Sequence, residues 1–177
     1  MAIITYLFIR SLPKMLNQII IPEAVPARKV KGYQMPELRE NLVSWDFVSE
    51  QMSLSRHYWI STVNGDGRPH VVPVWGIWHE NRFYFEGSMK TAWGKNLSCN
   101  PRISVHLPSG DKVVILDGTA HIIQDEEINN AEWNILDTAF QTKYHVDKGS
   151  PYICVQPEKV LAWDGEDLTT MTRWIFN

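Results

Sequence analysis

Residues 57–78 read HYWISTVNGDGRPHVVPVWGIW. The first eight, His57 to Asn64, are dense in aromatic and β-branched residues, the composition of a half-buried strand. They run into Asn64-Gly65-Asp66-Gly67, where asparagine, aspartate and glycine supply the positive φ angles of a tight hairpin. A second strand-like run begins at Arg68 and ends near Trp78, so Gly65 and Gly67 are turn residues. A dinucleotide fingerprint would need a helix after those glycines, and another strand follows instead. Pro69 and Pro73 have no N–H to give to a ladder, so the second run is an edge, a bulge or a bend.

Working outward, WDFVSEQMSL (Trp45 to Leu54) suits a short helix capped by Ser44. After a Glu80-Asn81 turn, RFYFEG reads as a strand, and a short helix follows from about Thr91 to Cys99. Asn100-Pro101 ends it, because the residue before proline is pushed out of the helical region. PRISVHL alternates, with Ile103, Val105 and Leu107 on one face and Arg102, Ser104 and His106 on the other. Ser109-Gly110-Asp111 turns the chain into KVVILDGTAHII, where Asp117-Gly118 predicts a bulge or sharp bend.

The period then changes. From Asp125 to Tyr144 the pattern is helical, with Ile128, Ala131, Ile135, Leu136, Ala139 and Phe140 on one face and Asp125, Glu126 and Glu127 in the first turn, where the helix dipole favours them. YICVQPEKVLAW, with a break at Pro157, and TTMTRWIF supply the last strands. Six or so short antiparallel strands and interposed helices describe a mainly β protein, a small barrel with helical decoration.

Composition bounds the function. A chain of 177 residues with 44% apolar content buries one sizeable core. Residues 1–34 read as an N-terminal extension and 35–177 as the domain. The net charge is −3 and the 17 basic residues are scattered, which excludes the cationic stripe of a nucleic-acid binder. Cys99 and Cys154 lie far apart, as reduced thiols of a cytoplasmic protein, and both read as small apolar fillers. The apolar run near the N-terminus is broken by Arg10 and Pro13, too short for a membrane span, and its positive charges follow it, unlike those of a secretory signal. The six histidines occur singly, without metal-ligand spacing.

Chemistry concentrates in EGSMKTAWGKNL, Glu86 to Leu97. A strand ending at Gly87-Ser88 before a helix near Thr91 aims free amides and two hydroxyls at one point, and Lys90 and Lys95 add positive charge. Such a point attracts an anion such as a single phosphate; capping hydroxyls with solvated lysines are also an ordinary helix start. It is not a triphosphate P-loop, since Asn96 stands where a magnesium-binding Ser or Thr would be. PHVVPVWGIW offers an apolar wall that suits either a planar ring or the core.

With FYFEGSMKTAWGKNLSCNPRISVHL, VVILDGTAHI and the closing TRWIF, these stretches resemble the pyridoxamine 5'-phosphate oxidase-like, flavin-binding split β-barrel family. The likeness is to the branch that includes coenzyme F420-dependent reductases, and it runs in order from Met35 to Phe176. It implies a split β-barrel of about six to seven mostly antiparallel strands with two or three flanking helices, assembled as a homodimer with cofactor sites at the interface. It implies FMN or coenzyme F420, unresolved between them, and hydride transfer to or from a small organic substrate. His70, Val72, Pro73, Val74 and Trp75 would line the ring. Gly87, Ser88, Lys90, Thr91, Lys95 and Asn96 would receive the phosphate. Arg173 and Trp174 would lie near the interface, with Trp78 on the substrate side. No catalytic acid or base is assigned. Relatives often carry a basic residue directly after the hydroxyl matching Thr91, where this chain has Ala92 and Trp93. Two further readings therefore stay open: a non-catalytic flavin- or haem-binding protein, and a barrel dimer that has lost cofactor binding.

Overall fold

The computed structural model describes residues 19–28, 32, 41–123, 130–146 and 151–176. In chain order the elements are β1 (Val25–Pro26), α1 (Trp45–Leu54), β2 (Tyr58–Val63), β3 (Pro69–Val74), β4 (Ile77–His79), β5 (Arg82–Glu86), α2 (Ala92–Cys99), β6 (Arg102–His106), β7 (Lys112–Ile123), α3 (Asn130–Tyr144), β8 (Tyr152–Asp164) and β9 (Asp167–Ile175). The protein is mainly β, with nine strands in one sheet ordered β1-β9-β8-β7-β6-β2-β3, β5 joining beside β8 and β4 beside β5. Every pairing is antiparallel. The count exceeds six to seven for two reasons. Residues 19–28 contribute β1 against β9, and the run from Arg68 to Trp78 is two strands broken at Trp75-Gly76.

The sheet divides along β8. One edge of this strand pairs with β7 throughout, whereas its other edge pairs first with β5, at Tyr152 to Val155, and then with β9, from Lys159 onward. The change of partner falls at Pro157, beside the predicted irregularity in β7: Asp117 pairs with Lys159 and Gly118 with Pro157, leaving Glu158 as the extra residue of a bulge. A Cβ at Gly118 would lie 2.2 Å from the Gln156 carbonyl oxygen, so only glycine allows the two backbones this close.

Two cores follow from the division. Phe83 and Phe85, alternating along β5, pack with Ile60, Val105, Leu116, Val160 and Trp174 beneath Val48 and Met52 of α1 and Trp93 and Leu97 of α2. Tyr84 faces the other way and packs with Ile77, Tyr152 and Cys154 under α3. The buried stripe of α3 is Trp133, Leu136, Phe140 and Tyr144. Ile135, expected on that face, is 48% exposed, because the larger aromatic rings centre the stripe a helical step away. Asp125, Glu126, Glu127 and Ile128 lie outside the described residues, as does the side chain of Ala131. Cys154 is buried as expected, but Cys99 is exposed: α2 turns Trp93, Asn96 and Leu97 inward and its last residue to solvent.

Of the N-terminal extension, Ile21 and Ala24 pack on the core, and Ala27 donates its N–H to the Met171 carbonyl at 3.0 Å. Lys29, Lys31 and the boundary at residues 34–35 lie outside the described residues. No helix among the described residues is long and apolar enough to cross a membrane.

Gly118→Ala is expected to lower the stability of the domain by about 1–3 kcal/mol, the cost of forcing extra volume into a packed contact. Gly65→Ala, where a Cβ meets nothing within 4 Å, should stay within about 0.5 kcal/mol. Urea midpoints compare the two, and equal shifts would show that the corner is not tight.

Candidate functional site

Between β5 and α2 the chain makes a turn whose hydrogen bonds decide which groups remain for a ligand. Gly87 has φ of 145°, and a Cβ there would sit 3.0 Å from the Trp93 ring, so the position favours glycine on both counts. The Ser88 oxygen accepts the Lys90 N–H at 3.2 Å. Thr91 caps α2: its hydroxyl accepts the Gly94 N–H at 3.1 Å and donates to the Ser88 carbonyl at 2.8 Å. The Thr91 hydroxyl is therefore committed to the turn, while Ser88 keeps its own proton to donate. The N–H groups of Ala92 and Trp93, in the first turn of the helix, have no intrahelical acceptor. Lys90 and Lys95 are exposed, and neither forms an ion pair among the described residues.

Asn96 performs a different task from the phosphate contact expected of it. It is buried, and its amide donates to Thr62 Oγ1 and Asn64 Oδ1, both at 3.0 Å. With both donors used, it braces α2 against the end of β2 and the hairpin. Trp93 packs inward, edge-on to Phe85 at 5.2 Å between centroids.

The brace sets the turn near the His70 end of β3, since Thr62 pairs with His70. Among the described residues β3 is the last strand of the sheet, and its outer edge pairs with no other strand. Asn64 donates its N–H to the Arg68 carbonyl at 2.9 Å, which fixes the phase of the ladder. His70, Val72 and Val74 exchange bonds with β2, while Pro69, Val71 and Pro73 turn their backbones to the open edge. Both prolines thus sit where a missing N–H costs the ladder nothing. The open edge offers three carbonyls and the single N–H of Val71. Side chains divide the same way: Val72 and Val74 pack on the core, whereas Val71 and Trp75 are 48% and 45% exposed.

At the far end of β3, Trp75 lies 4.9 Å from the Tyr144 ring with 10° between the planes. Tyr144 accepts the Gly76 N–H at 2.9 Å, and its proton lies within reach of the carbonyls of Gly76 at 2.8 Å and Arg56 at 2.9 Å. A Cβ at Gly76 would meet the Phe83 ring at 2.3 Å. Lys143 donates to the Tyr58 hydroxyl at 2.9 Å and the Gly76 carbonyl at 3.3 Å, with its ammonium over the Tyr58 and Tyr144 rings. Burial, reinforced by the nearby Arg56 guanidinium, pulls the Lys143 amine down to about 8. Burial pushes the Tyr58 phenol up.

The remaining expected site residues are placed apart from this edge. Trp78 leans on Trp45 at 6.3 Å in the first core. Trp174, 1% exposed, packs edge-on to Trp45 at 5.3 Å, so its indole is committed to the core of its own chain. Arg173 is half-buried on the opposite face of β9, and its Nε is buried without a hydrogen-bond partner. Sequence reading passed over Arg56, Tyr58, Lys143 and Tyr144. None has a motif, and the one available signal was a Lys-Tyr pair at the end of an apolar helical stripe. Among the described residues no three His, Cys, Asp or Glu side chains are placed to hold a metal ion.

A divided antiparallel sheet with helices on its flanks is the architecture of a split barrel. The chain belongs to the pyridoxamine 5'-phosphate oxidase family, whose model matches residues 45–164. Among solved structures it is similar to the conserved hypothetical protein Rv2991 from Mycobacterium tuberculosis, with a TM-score of 0.60 and 19% identity over 73% of this chain and 91% of that one. A FAD-binding protein from Mesorhizobium loti gives 0.53 and 18%, covering 75% and 95% of the two chains. An F420 reductase gives 0.50 and 19%, covering 63% and 94%. Other similar structures are a heme storage protein from Vibrio cholerae and a heme binding protein from Mycobacterium smegmatis. At these identities the likeness is one of fold. No curated protein matches the chain.

Lys143 gives stability a defined pH dependence. Its folded value, about 8, lies below the ordinary 10.5, so in that window the unfolded chain holds a proton that the fold has released. Stability therefore rises with pH from about 8. Above 10.0 an opposing loss begins, because Tyr58 stays protonated only in the fold. Thermal melts of wild type and Lys143→Met from pH 7 to 10 should diverge through this rise; parallel curves would remove the buried ammonium from the account.

Proposed function

We propose that the protein is a homodimeric oxidoreductase that binds FMN or coenzyme F420 and passes a hydride to or from a small organic molecule. The observation that carries this reading is the set of uncompensated donors at the start of α2, held by Asn96 beside the open edge of β3. From His70 to Trp75 a strand covers about 16 Å, a length that suits a phosphate-bearing tail at one end and a planar ring toward the other.

The residues fit such a group by the chemistry of their donors. The Ser88 hydroxyl, the Ala92 and Trp93 amides, and Lys90 and Lys95 would hold the phosphate, a helix-start dipole and two cations together offsetting its charge. The basic residues missing at Ala92 and Trp93 are thus replaced from either side of them. The open edge of β3 would meet the polar rim of the ring through the Val71 N–H and the neighbouring carbonyls. When bound, the cofactor supplies the hydride chemistry, and the chain supplies position and electrostatics.

A second copy of the chain is the occupant proposed for the outer face of the sheet. Ladder register puts Trp59, Val71, Pro73, Ile115 and Leu161 on this face, opposite the core, and an apolar face of this kind needs a partner. The buried, unpaired Arg173 Nε beside them fits a contact completed across such an interface. Exposed, unpaired Cys99 suits a reducing cytoplasm.

Absorbance of the purified protein and fluorescence titration with FMN and with F420 test the reading. Lys90→Ala or Lys95→Ala should weaken binding roughly tenfold, the worth of one charge-assisted contact, without changing the melting temperature. A Soret band, or no binding of either cofactor at tens of micromolar, would sink it. Leu161→Asp should yield monomers by sedimentation and reduce affinity with them.

A further inference from the structure

Trp75 and Gly76 lie between β3 and β4, where no ladder holds the chain. Their geometry is set instead by the last residue of a helix almost 70 positions later in the sequence. Gly76 is buried, so its peptide groups must find partners or bear the full desolvation penalty. The Tyr144 hydroxyl takes its N–H and approaches its carbonyl, while the Tyr144 ring carries the Trp75 indole in a near-parallel stack. Lys143 holds the same carbonyl and lies over the Tyr144 ring, and Arg56 lies 5.4 Å from the centre of that ring. The indole has no other stacked ring among the described residues.

We propose that Tyr144 is a positioning residue for the ring end of the site: by clamping Gly76 and backing Trp75, it fixes the plane the exposed indole offers to a ligand. The inference rests on the cofactor reading, and it gives α3 a part in the ring end of the site, which residues 70–75 were expected to line. An indole on an exposed bend samples several rotamers, and a ligand must then supply the ordering free energy itself. Stacking on a clamped tyrosine removes that cost before binding.

The test uses the full chain with Tyr144→Phe, Tyr144→Leu, Trp75→Phe and the double variant Tyr144→Phe/Trp75→Phe. Tyr144→Phe keeps the ring and loses the clamp, and should raise the dissociation constant of the cofactor that wild type binds by about tenfold. In the Trp75→Phe background the same substitution should change affinity less than twofold, because the platform it acts through is gone. A general loss of packing would weaken binding equally in both backgrounds, and that result would overturn the proposal. A ligand-free arm separates this from the fate of the cofactor reading. The Trp75 band in near-ultraviolet circular dichroism, taken as wild type minus Trp75→Phe, should vanish in Tyr144→Leu. If wild type binds neither FMN nor F420, the cofactor reading fails, and persistence of that band in Tyr144→Leu would overturn the positioning role as well.

Discussion

Much of this structure depends on the contact where Gly118 of β7 passes the backbone of Gln156 and Pro157 of β8. Approach this close is open only to glycine, and the absorbed extra residue, Glu158, turns the strand enough to change neighbours on its far side. Before the corner β8 pairs with β5; after it, with β9. A sheet that would otherwise be one surface acquires two branches. Phe83 and Phe85 then serve one core while Tyr84 serves the other. β5 leads into α2, whose Asn96 is bonded to the end of β2 and the hairpin.

Polar side chains finish what the sheet begins. Asn96 is costly to bury unless its amide is satisfied, and its two acceptors lie on β2 and the adjoining hairpin. The requirement therefore acts as a locating device, holding the first turn of α2 beside β3. The Tyr144 hydroxyl does the equivalent at the other end, with acceptors at Gly76 and Arg56. Each joins elements far apart in sequence, and each leaves the backbone of β3 itself unencumbered.

The chain's local structure was largely legible because local rules decide it. The Ser44 cap sets the start of α1, Asn64 to Gly67 turn the hairpin, Glu80 and Asn81 adopt the positive φ angles of their turn, and Asp117-Gly118 marks the irregularity in β7. What local rules could not settle was which way a residue faces once elements meet. Ile135 and Trp133, two residues apart, lie on nearly opposite sides of one helix, and only the shape of the surface beneath favours the indole. Asn96 looked like an anion ligand because it stands in a row of donors; its real acceptors come from more than thirty residues away. Lys143 and Tyr144 carry no motif, since their significance arises from the Trp75-Gly76 bend that packs against them. Trp174 shows the converse, a conspicuous aromatic whose burial makes it part of the framework.

The two prolines of β3 have a consequence for the company the protein keeps. A naked ribbon border is ordinarily an invitation to polymerise, because an incoming peptide finds a donor and an acceptor at every second residue. Here two of the three donors are deleted, so another chain laying itself down would leave its own carbonyls stranded. A small flat molecule asks for far less, one donor flanked by acceptors, and is not penalised. The border thus disfavours an incoming strand while keeping one donor flanked by acceptors, without any lid having to move.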